Sequence, residues 1–230
     1  MNGLIRSYIN IGAIVLVLII NFLSNAIPFN GLTQTDISEL YPVLLTPAGY
    51  VFSIWILIYA LLIGFTVYQA MPKYRESEYV TTVGILFTVT SILNVAWLFF
   101  WHYLQIGVSL IIMLLLLATL IYIYLQLDKK VKESFLDWLL VKLPFSLYLA
   151  WITVATLANF NVWLNHIGWL GESGFGAILF TVLMIIIGAI IAIYVFYRDW
   201  NFAFALVFVW AFIGIGVRHG AEVSTITLFA

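Results

Sequence analysis

The sequence predicts an all-α protein, a polytopic membrane helix bundle with seven transmembrane helices. Hydrophobic residues make up 65% of the chain and charged residues only 8%, which is more apolar surface than a soluble domain of 230 residues can bury. The apolar runs reach the roughly 20 residues that a membrane-spanning helix needs. The runs lack the alternation of apolar and polar residues that the strands of a membrane β-barrel show. An α-helix is then the remaining structure in which every backbone group is hydrogen-bonded in lipid.

Seven apolar runs are long enough to span a bilayer, and the connections between them are short. The first run is also compatible with a signal peptide, because Arg6 precedes it, but Asn21 and Asn25 favour a retained helix. The seventh run is short, and the apolar tail after Arg218 is compatible with the start of an eighth helix. The predicted spans are residues 8–26, 47–70, 79–101, 104–127, 139–164, 174–197 and 202–217.

Lysine and arginine occur in alternate connections, as the positive-inside rule expects. The pattern predicts a multi-pass protein of the cell membrane with a cytoplasmic N-terminus. The acidic first loop, with Asp36 and Glu39, is then outside, and Arg218 is the exception to the pattern. The residues predicted to be cytoplasmic are Arg6, Lys73, Arg75, Lys129, Lys130, Lys132 and Arg198.

Composition and charge exclude several classes of function. Without cysteine there is no disulfide, thiolate metal site or nucleophilic thiol. A net charge of −1 without a basic tract argues against nucleic acid as a partner. No lysine follows Lys142, so a retinal Schiff base in helix 7 is excluded. The predicted spans contain no carboxylate or histidine, which disfavours ion-coupled transport and acid–base catalysis, and Asp137 and Lys142 are expected to be interfacial groups.

Aromatic residues form a stripe on helix 2. Phe52, Trp55 and Tyr59 are spaced i, i+3 and i+7 and therefore share one face, and Pro47 suits the first helical turn. Interfacial aromatic belts would place such rings at the ends of a span. Rings inside the span indicate a face that borders a cavity for a flat apolar ligand, although helix packing remains the alternative for any single stripe.

Helices 3 and 5 carry two further stripes. Small residues beside large rings leave the room that a binding wall needs. Asparagine amides, the Tyr59 hydroxyl and indole N–H groups would supply partners for the polar groups of a ligand. The sequence predicts no catalytic residue and no metal ligand. The predicted ligand-binding residues are Phe52, Trp55 and Tyr59 of helix 2, Asn94, Trp97 and Trp101 of helix 3, and Trp151, Ala155 and Asn159 of helix 5.

These stripes resemble the translocator protein family, also called tryptophan-rich sensory proteins or peripheral benzodiazepine receptors. The helix 2 motif of that family, approximately Pro-Pro-Gly-Trp-Val-Phe-x-x-x-Trp-x-x-x-Tyr, is matched except at Ala48 and Tyr50. The matching residues are Pro47, Gly49, Val51, Phe52, Trp55 and Tyr59 in helix 2, Asn94 and Trp97 in helix 3, and Trp151, Ala155, Thr156, Asn159 and Trp163 in helix 5.

The resemblance covers roughly residues 8–165. It implies a five-helix translocator-protein-like bundle in residues 1–165, with additional C-terminal transmembrane helices in residues 166–230. It also implies a pocket for porphyrins, sterols and synthetic aromatic molecules, and a homodimer in the lipid bilayer. No cofactor is required, and a porphyrin or haem-like tetrapyrrole would be the bound group.

The resemblance leaves three roles open. These are a ligand-binding protein that acts as sensor or carrier, a transporter of the same molecules, and a tryptophan-dependent porphyrin-degrading enzyme. The binding role is favoured over the enzyme, because the predicted spans contain no group for acid–base catalysis. His102, His166 and His219 are expected at surfaces or interfaces rather than as axial ligands of haem.

Overall fold

Seven long apolar helices dominate the structure, a computed structural model that describes residues 2–130, 134–171 and 174–219. Each is long and apolar enough to span a membrane, and none of the described residues forms a strand. The predicted polytopic all-α bundle is confirmed. The helices are α1 (Gly3–Ala26), α2 (Gly49–Ala70), α3 (Glu78–His102), α4 (Ile106–Lys130), α5 (Phe135–His166), α6 (Phe175–Asp199) and α7 (Phe202–His219).

The predicted spans differ most from these helices at the starts of α1 and α5. α1 begins at Gly3, where the side chain of Asn2 accepts a hydrogen bond from the N–H of Leu4. This N-cap satisfies one of the backbone donors that a helix start leaves unpaired. The suggested eighth helix after Arg218 and the loop residue Lys132 lie outside the described residues.

Polar residues near the start of α1 are buried against neighbouring segments, and one of them, Arg6, was placed before the predicted span of residues 8–26. The Arg6 guanidinium donates to the backbone carbonyl of Arg75. The Asn10 amide donates to the Gln69 side chain at 2.8 Å and to the Gly84 carbonyl at 3.1 Å. Gly84 interrupts the regular geometry of α3 with φ 20° and ψ −110°. Because these partners replace water, the helix extends through residues that apolar periodicity alone excludes.

α5 begins with a capping box in which the Ser134 hydroxyl accepts from the N–H of Asp137. The Asp137 carboxylate also accepts hydrogen bonds from the hydroxyls of Tyr68 and Tyr79. Asp137 is therefore a buried group with protein partners, which corrects the expectation of an interfacial side chain. It also places a carboxylate inside a spanning helix, where the sequence analysis expected none.

A π-helical turn, Trp138–Lys142, follows this cap and precedes Pro144. In a regular helix the proline ring would clash with the carbonyl four residues earlier, and its missing N–H would leave that carbonyl without a bond. The wider π-helical turn accommodates the proline within the first turns of the helix. Helix α5 therefore runs without interruption through Trp151, Ala155 and Asn159.

α5 is the central helix of the bundle. In its most apolar stretch 72% of the residues are buried, against 28–39% in the other six spans. It contacts α2, α4, α6 and α7, while α1 packs on α2 and α3 and α3 packs on α4. A helix that is apolar on all sides suits this central position. The faces of α2, α3 and α4 that point toward α5 consequently border one space together with it.

Candidate ligand cavity

A cavity of about 70 Å³ lies among α2, α3, α4 and α5. Its walls are mainly aromatic and aliphatic, with Met113 on α4 and Ala158 beside Ala155 on α5. It is covered by residues of the α1–α2 loop. Seven of the nine predicted ligand-binding residues line it, namely Phe52, Trp55, Trp97, Trp101, Trp151, Ala155 and Asn159.

The aromatic side chains around the cavity contact one another in fixed geometry. Trp151 meets Phe52 and Trp55 edge to face, with ring centroids 5.9 Å and 6.2 Å apart. Trp97 and Trp101 stack on the α3 side, with centroids 5.7 Å apart. Edge-to-face and offset contacts of this kind stabilise aromatic clusters by about 0.5–1.5 kcal/mol per pair beyond area burial. The rings therefore form a preformed wall rather than a set of lipid-facing side chains.

Three polar atoms of the cavity-lining residues are buried without a hydrogen-bond partner. They are the indole N–H groups of Trp97 and Trp151 and the side-chain oxygen of Asn159. The Asn159 amide nitrogen, by contrast, donates to the Ser109 hydroxyl at 3.4 Å. Leaving a buried polar group unpaired costs about 1–3 kcal/mol, so each such group requires a reason. Two donors and one acceptor beside one cavity are what a ligand with polar edges would use.

Asn94 does not line this cavity. Its side-chain oxygen accepts from the Asn21 amide at 3.2 Å, and its nitrogen donates to the Tyr148 hydroxyl at 3.3 Å. It therefore connects α1, α3 and α5, the structural role that buried asparagines commonly have between membrane helices.

Tyr59 does not line the cavity but lines an adjoining groove of about 340 Å³ between α1 and α2. Its ring stacks on Trp55 with centroids 5.1 Å apart, and its hydroxyl is buried without a partner. Gln34, Phe52 and Trp55 line both spaces. These three side chains therefore form the partition between groove and cavity.

A short helix in the α1–α2 loop, Gln34–Leu40, forms the roof of the cavity through Gln34 and Ser38. It starts with a capping box in which the Thr33 hydroxyl and the Asp36 carboxylate bond each other's backbone N–H groups. The N–H and hydroxyl of Thr33 hold the pKa of Asp36 below its usual range. Ile37 is fully buried in a cluster with Trp101, which seats the roof on α3.

The segment that begins α2 is held by α7, a contact that the sequence analysis missed. The N–H of Ala48 donates to the Gly214 carbonyl at 3.0 Å, and the Trp210 indole donates to the Val51 carbonyl at 3.1 Å. Arg218, the exception to the charge pattern, donates to the Pro47 carbonyl at 3.4 Å. We call the three α7 residues Trp210, Gly214 and Arg218 the α7 clamp. Pro47 lines the cavity, so the clamp fixes one of its walls.

The histidines differ in their surroundings. His166 is exposed beside Tyr41, whereas His102 and His219 are buried against Phe29 and Thr46, which are interface rather than surface positions. The Nδ1 atom of His102 lies 2.7 Å from the Leu98 carbonyl, and a ring nitrogen of His219 lies 3.3 Å from the Thr46 carbonyl. Within the described ranges no three metal-ligating His, Cys, Asp or Glu side chains come together.

Comparison with known proteins gives one match. A family model described as TSPO-like protein matches residues 7–230. The match therefore extends beyond the five helices of the original resemblance and includes α6 and α7. No curated protein and no solved structure matches the chain.

Proposed function

The chain belongs to the TSPO-like protein family, and on this basis we propose that it binds a flat, mainly apolar ligand of the tetrapyrrole or sterol class between α2, α3 and α5. The protein acts as a membrane sensor or carrier of this ligand. The faces of its ligand stack on the tryptophan rings, and its polar edge reaches the indole N–H groups. The seven long apolar helices and the family match agree with this membrane setting.

The observation that carries the proposal is the set of unpaired polar atoms in an aromatic cavity. Ligand sites combine apolar walls with a few polar groups that fix orientation. The indole groups of Trp97 and Trp151 can each donate to a carboxylate or carbonyl oxygen of a ligand. The oxygen of Asn159 can accept from a ring N–H or a hydroxyl. A propionate-bearing tetrapyrrole or a hydroxylated sterol offers these groups together with a large apolar face.

Cavity size indicates that binding requires movement of the partition. The cavity holds about 70 Å³, whereas small-molecule sites span about 300–1,000 Å³. The adjoining groove holds about 340 Å³ and is separated from the cavity by Gln34, Phe52 and Trp55. Lifting the roof helix Gln34–Leu40 removes Gln34 from this partition and joins the two spaces. Tyr59, which lines the groove, then becomes part of the same ligand site.

Replacing Trp97 or Trp151 with phenylalanine tests the proposal, because phenylalanine retains an aromatic ring but lacks the indole N–H. We expect each substitution to weaken binding of protoporphyrin IX by about two- to tenfold, the value of one net hydrogen bond. The double variant should bind more weakly than either single variant. Titration of the purified protein, followed by quenching of tryptophan fluorescence, measures the dissociation constants.

Trp169→Phe is the matched control, because this tryptophan is 65% exposed and lies outside the cavity. Its dissociation constant should equal that of the unaltered protein. Unchanged affinity in the Trp97→Phe, Trp151→Phe double variant would show that the cavity is not the binding site. A parallel flux assay in liposomes separates a carrier or sensor from a transporter, because only the latter moves the porphyrin across the bilayer.

The charge pattern supports an N-terminus on the cytoplasmic side of the cell membrane. Arg6 at the start of α1 donates to Arg75 in the α2–α3 connection, so these two cations lie at one end of the bundle. The chain lacks cysteine, so single introduced cysteines report topology without background. In intact cells we expect an impermeant thiol reagent to label Glu39→Cys and not Lys73→Cys. Labelling of Lys73→Cys and not of Glu39→Cys would show the opposite orientation of the protein in the membrane.

A further inference from the structure

A second cavity, of about 340 Å³, lies toward the opposite end of α5. It is bordered by the C-terminal part of α4, the N-terminal part of α5 and the corner between α6 and α7. It shares no lining residue with the aromatic cavity. Its volume is at the lower end of the range of small-molecule sites, about 300–1,000 Å³. The family resemblance rests on other residues and does not account for it.

The walls of this second cavity are joined by a hydrogen-bond network. The Asn201 amide donates to the Tyr124 hydroxyl at 2.9 Å and to the Ser146 hydroxyl at 2.7 Å. The Asn201 oxygen accepts from the N–H of Phe204 at 3.0 Å and so caps the start of α7. Tyr124 in turn donates to the Asp199 carboxylate at 2.8 Å. α4, α5 and the α6–α7 corner are therefore fixed relative to one another before any ligand binds.

Among the described residues, the lining of the cavity includes one anionic and one cationic side chain, Asp199 and Lys142. Only 6% of the Asp199 side chain is exposed, and its second oxygen accepts from the Arg198 guanidinium at 2.7 Å. A carboxylate has about four lone-pair positions, so further donors can still approach it. Trp138 and Trp200 line the same space, and aromatic faces attract ammonium groups. This combination suits a molecule with both a phosphate and an ammonium group.

The position of the cavity identifies the source of such a molecule. It lies where α4 and α6 end and where α5 and α7 begin, which is the headgroup level of a bilayer. Trp138 and Trp200 are 39% and 69% exposed, so a lipid can reach the cavity from the side. Trp200 holds the corner in a left-handed conformation, with φ 52° and ψ 37°, between two helices that are only two residues apart.

We propose that this cavity binds the headgroup of a zwitterionic phospholipid. The phosphate lies against Lys142, and the ammonium group lies against Asp199 and the faces of Trp138 and Trp200. An anionic lipid would place its phosphate on Lys142 equally well, but it would leave the faces of Trp138 and Trp200 without a cation and Asp199 with that of Arg198 alone. The site therefore binds headgroups that carry an ammonium group in preference to anionic headgroups.

Native mass spectrometry of the intact protein tests this assignment. The protein is exposed to an equimolar mixture of phosphatidylethanolamine, phosphatidylcholine and phosphatidylglycerol with identical acyl chains. We expect retention of the two zwitterionic lipids to exceed that of phosphatidylglycerol by about three- to tenfold. Asp199→Asn should reduce retention of the zwitterionic lipids to the phosphatidylglycerol level, and Lys142→Gln should reduce retention of all three.

Trp200→Phe and Trp200→Leu form a second pair that leaves the hydrogen-bond network intact. The phenylalanine variant should keep most of the headgroup preference, and the leucine variant should lose it. Lys73→Gln is the control, because it removes an exposed cation that does not line the cavity. Equal retention of all three lipids, preference for phosphatidylglycerol, or unchanged selectivity in both Asp199→Asn and Trp200→Leu would overturn the proposal. Free phosphocholine that binds as tightly as the lipid would overturn the assignment to a bilayer source.

Discussion

Gly214→Ala lowers both the thermal stability of the protein and its affinity for porphyrin, because α7 can no longer approach α2. A Cβ atom at this position would lie 2.1 Å from a methyl carbon of Val51 and 3.3 Å from Pro47. Val51 is fully buried and β-branched, so it cannot rotate away. Overpacking of this kind costs about 1–3 kcal/mol. A shift of α7 also strains the hydrogen bond from Ala48 to Gly214.

We expect the melting temperature in detergent to fall and the protoporphyrin IX dissociation constant to rise at least about tenfold, since 1.4 kcal/mol corresponds to a factor of ten. Adding Val51→Ala to Gly214→Ala removes the obstructing methyl groups and should restore much of both properties. Gly12→Ala is the control, because apart from its own stretch of α1 nothing lies within 4 Å of the added methyl group. If Gly214→Ala alone melts and binds like the unaltered protein, the α7 clamp does not hold the cavity wall.

The sequence was sufficient for the features that depend on local periodicity. The spans follow from runs of apolar residues, and the stripes on α2, α3 and α5 follow from the spacing of aromatic side chains. Trp55, Trp97 and Trp151 border one cavity, and their role in binding a ligand stays a prediction. These rings share one face of their helix at i, i+3, i+4 or i+7 spacing, which is why their positions could be identified.

The features that depend on tertiary partners could not be predicted. Asn94 has the same spacing relative to Trp97 as a cavity residue would have, but its amide bonds Asn21 and Tyr148 on other helices. The polar start of α1 and the carboxylate of Asp137 are tolerated in the bundle because α2 and α3 supply hydrogen-bond partners. The α7 clamp bonds mainly to backbone carbonyls, which carry no sequence signal.

The contact between α7 and the start of α2 also gives α6 and α7 a structural role. A chain with five helices would lack the bonds that Arg218 and Trp210 donate to the carbonyls of Pro47 and Val51, of which the Val51 carbonyl also accepts from the N–H of Ile54. In an apolar environment such groups need partners. The additional helices therefore stabilise the cavity wall within one chain, where a shorter chain would need another source of these donors.

Ala155→Leu changes stability and binding in opposite directions. Ala155 borders the aromatic cavity, and a leucine side chain there extends into a space of about 70 Å³. Filling a void commonly adds about 0.5–2 kcal/mol of stability, so the melting temperature should stay constant or rise. The same side chain occupies the volume that the ligand needs, so the protoporphyrin IX dissociation constant should rise at least about tenfold. Thermal unfolding and fluorescence titration on one preparation measure both effects.

The opposite signs separate loss of the site from loss of the fold, because a misfolded variant would lose stability and binding together. Ala118→Leu provides the control, since Ala118 is exposed on α4 and the same substitution there should leave the dissociation constant unchanged. Undiminished affinity in Ala155→Leu would place the ligand outside the cavity, in the adjoining groove beside Tyr59. Ile56→Trp, on an exposed residue that lines that groove but not the cavity, would then be the substitution that reduces binding.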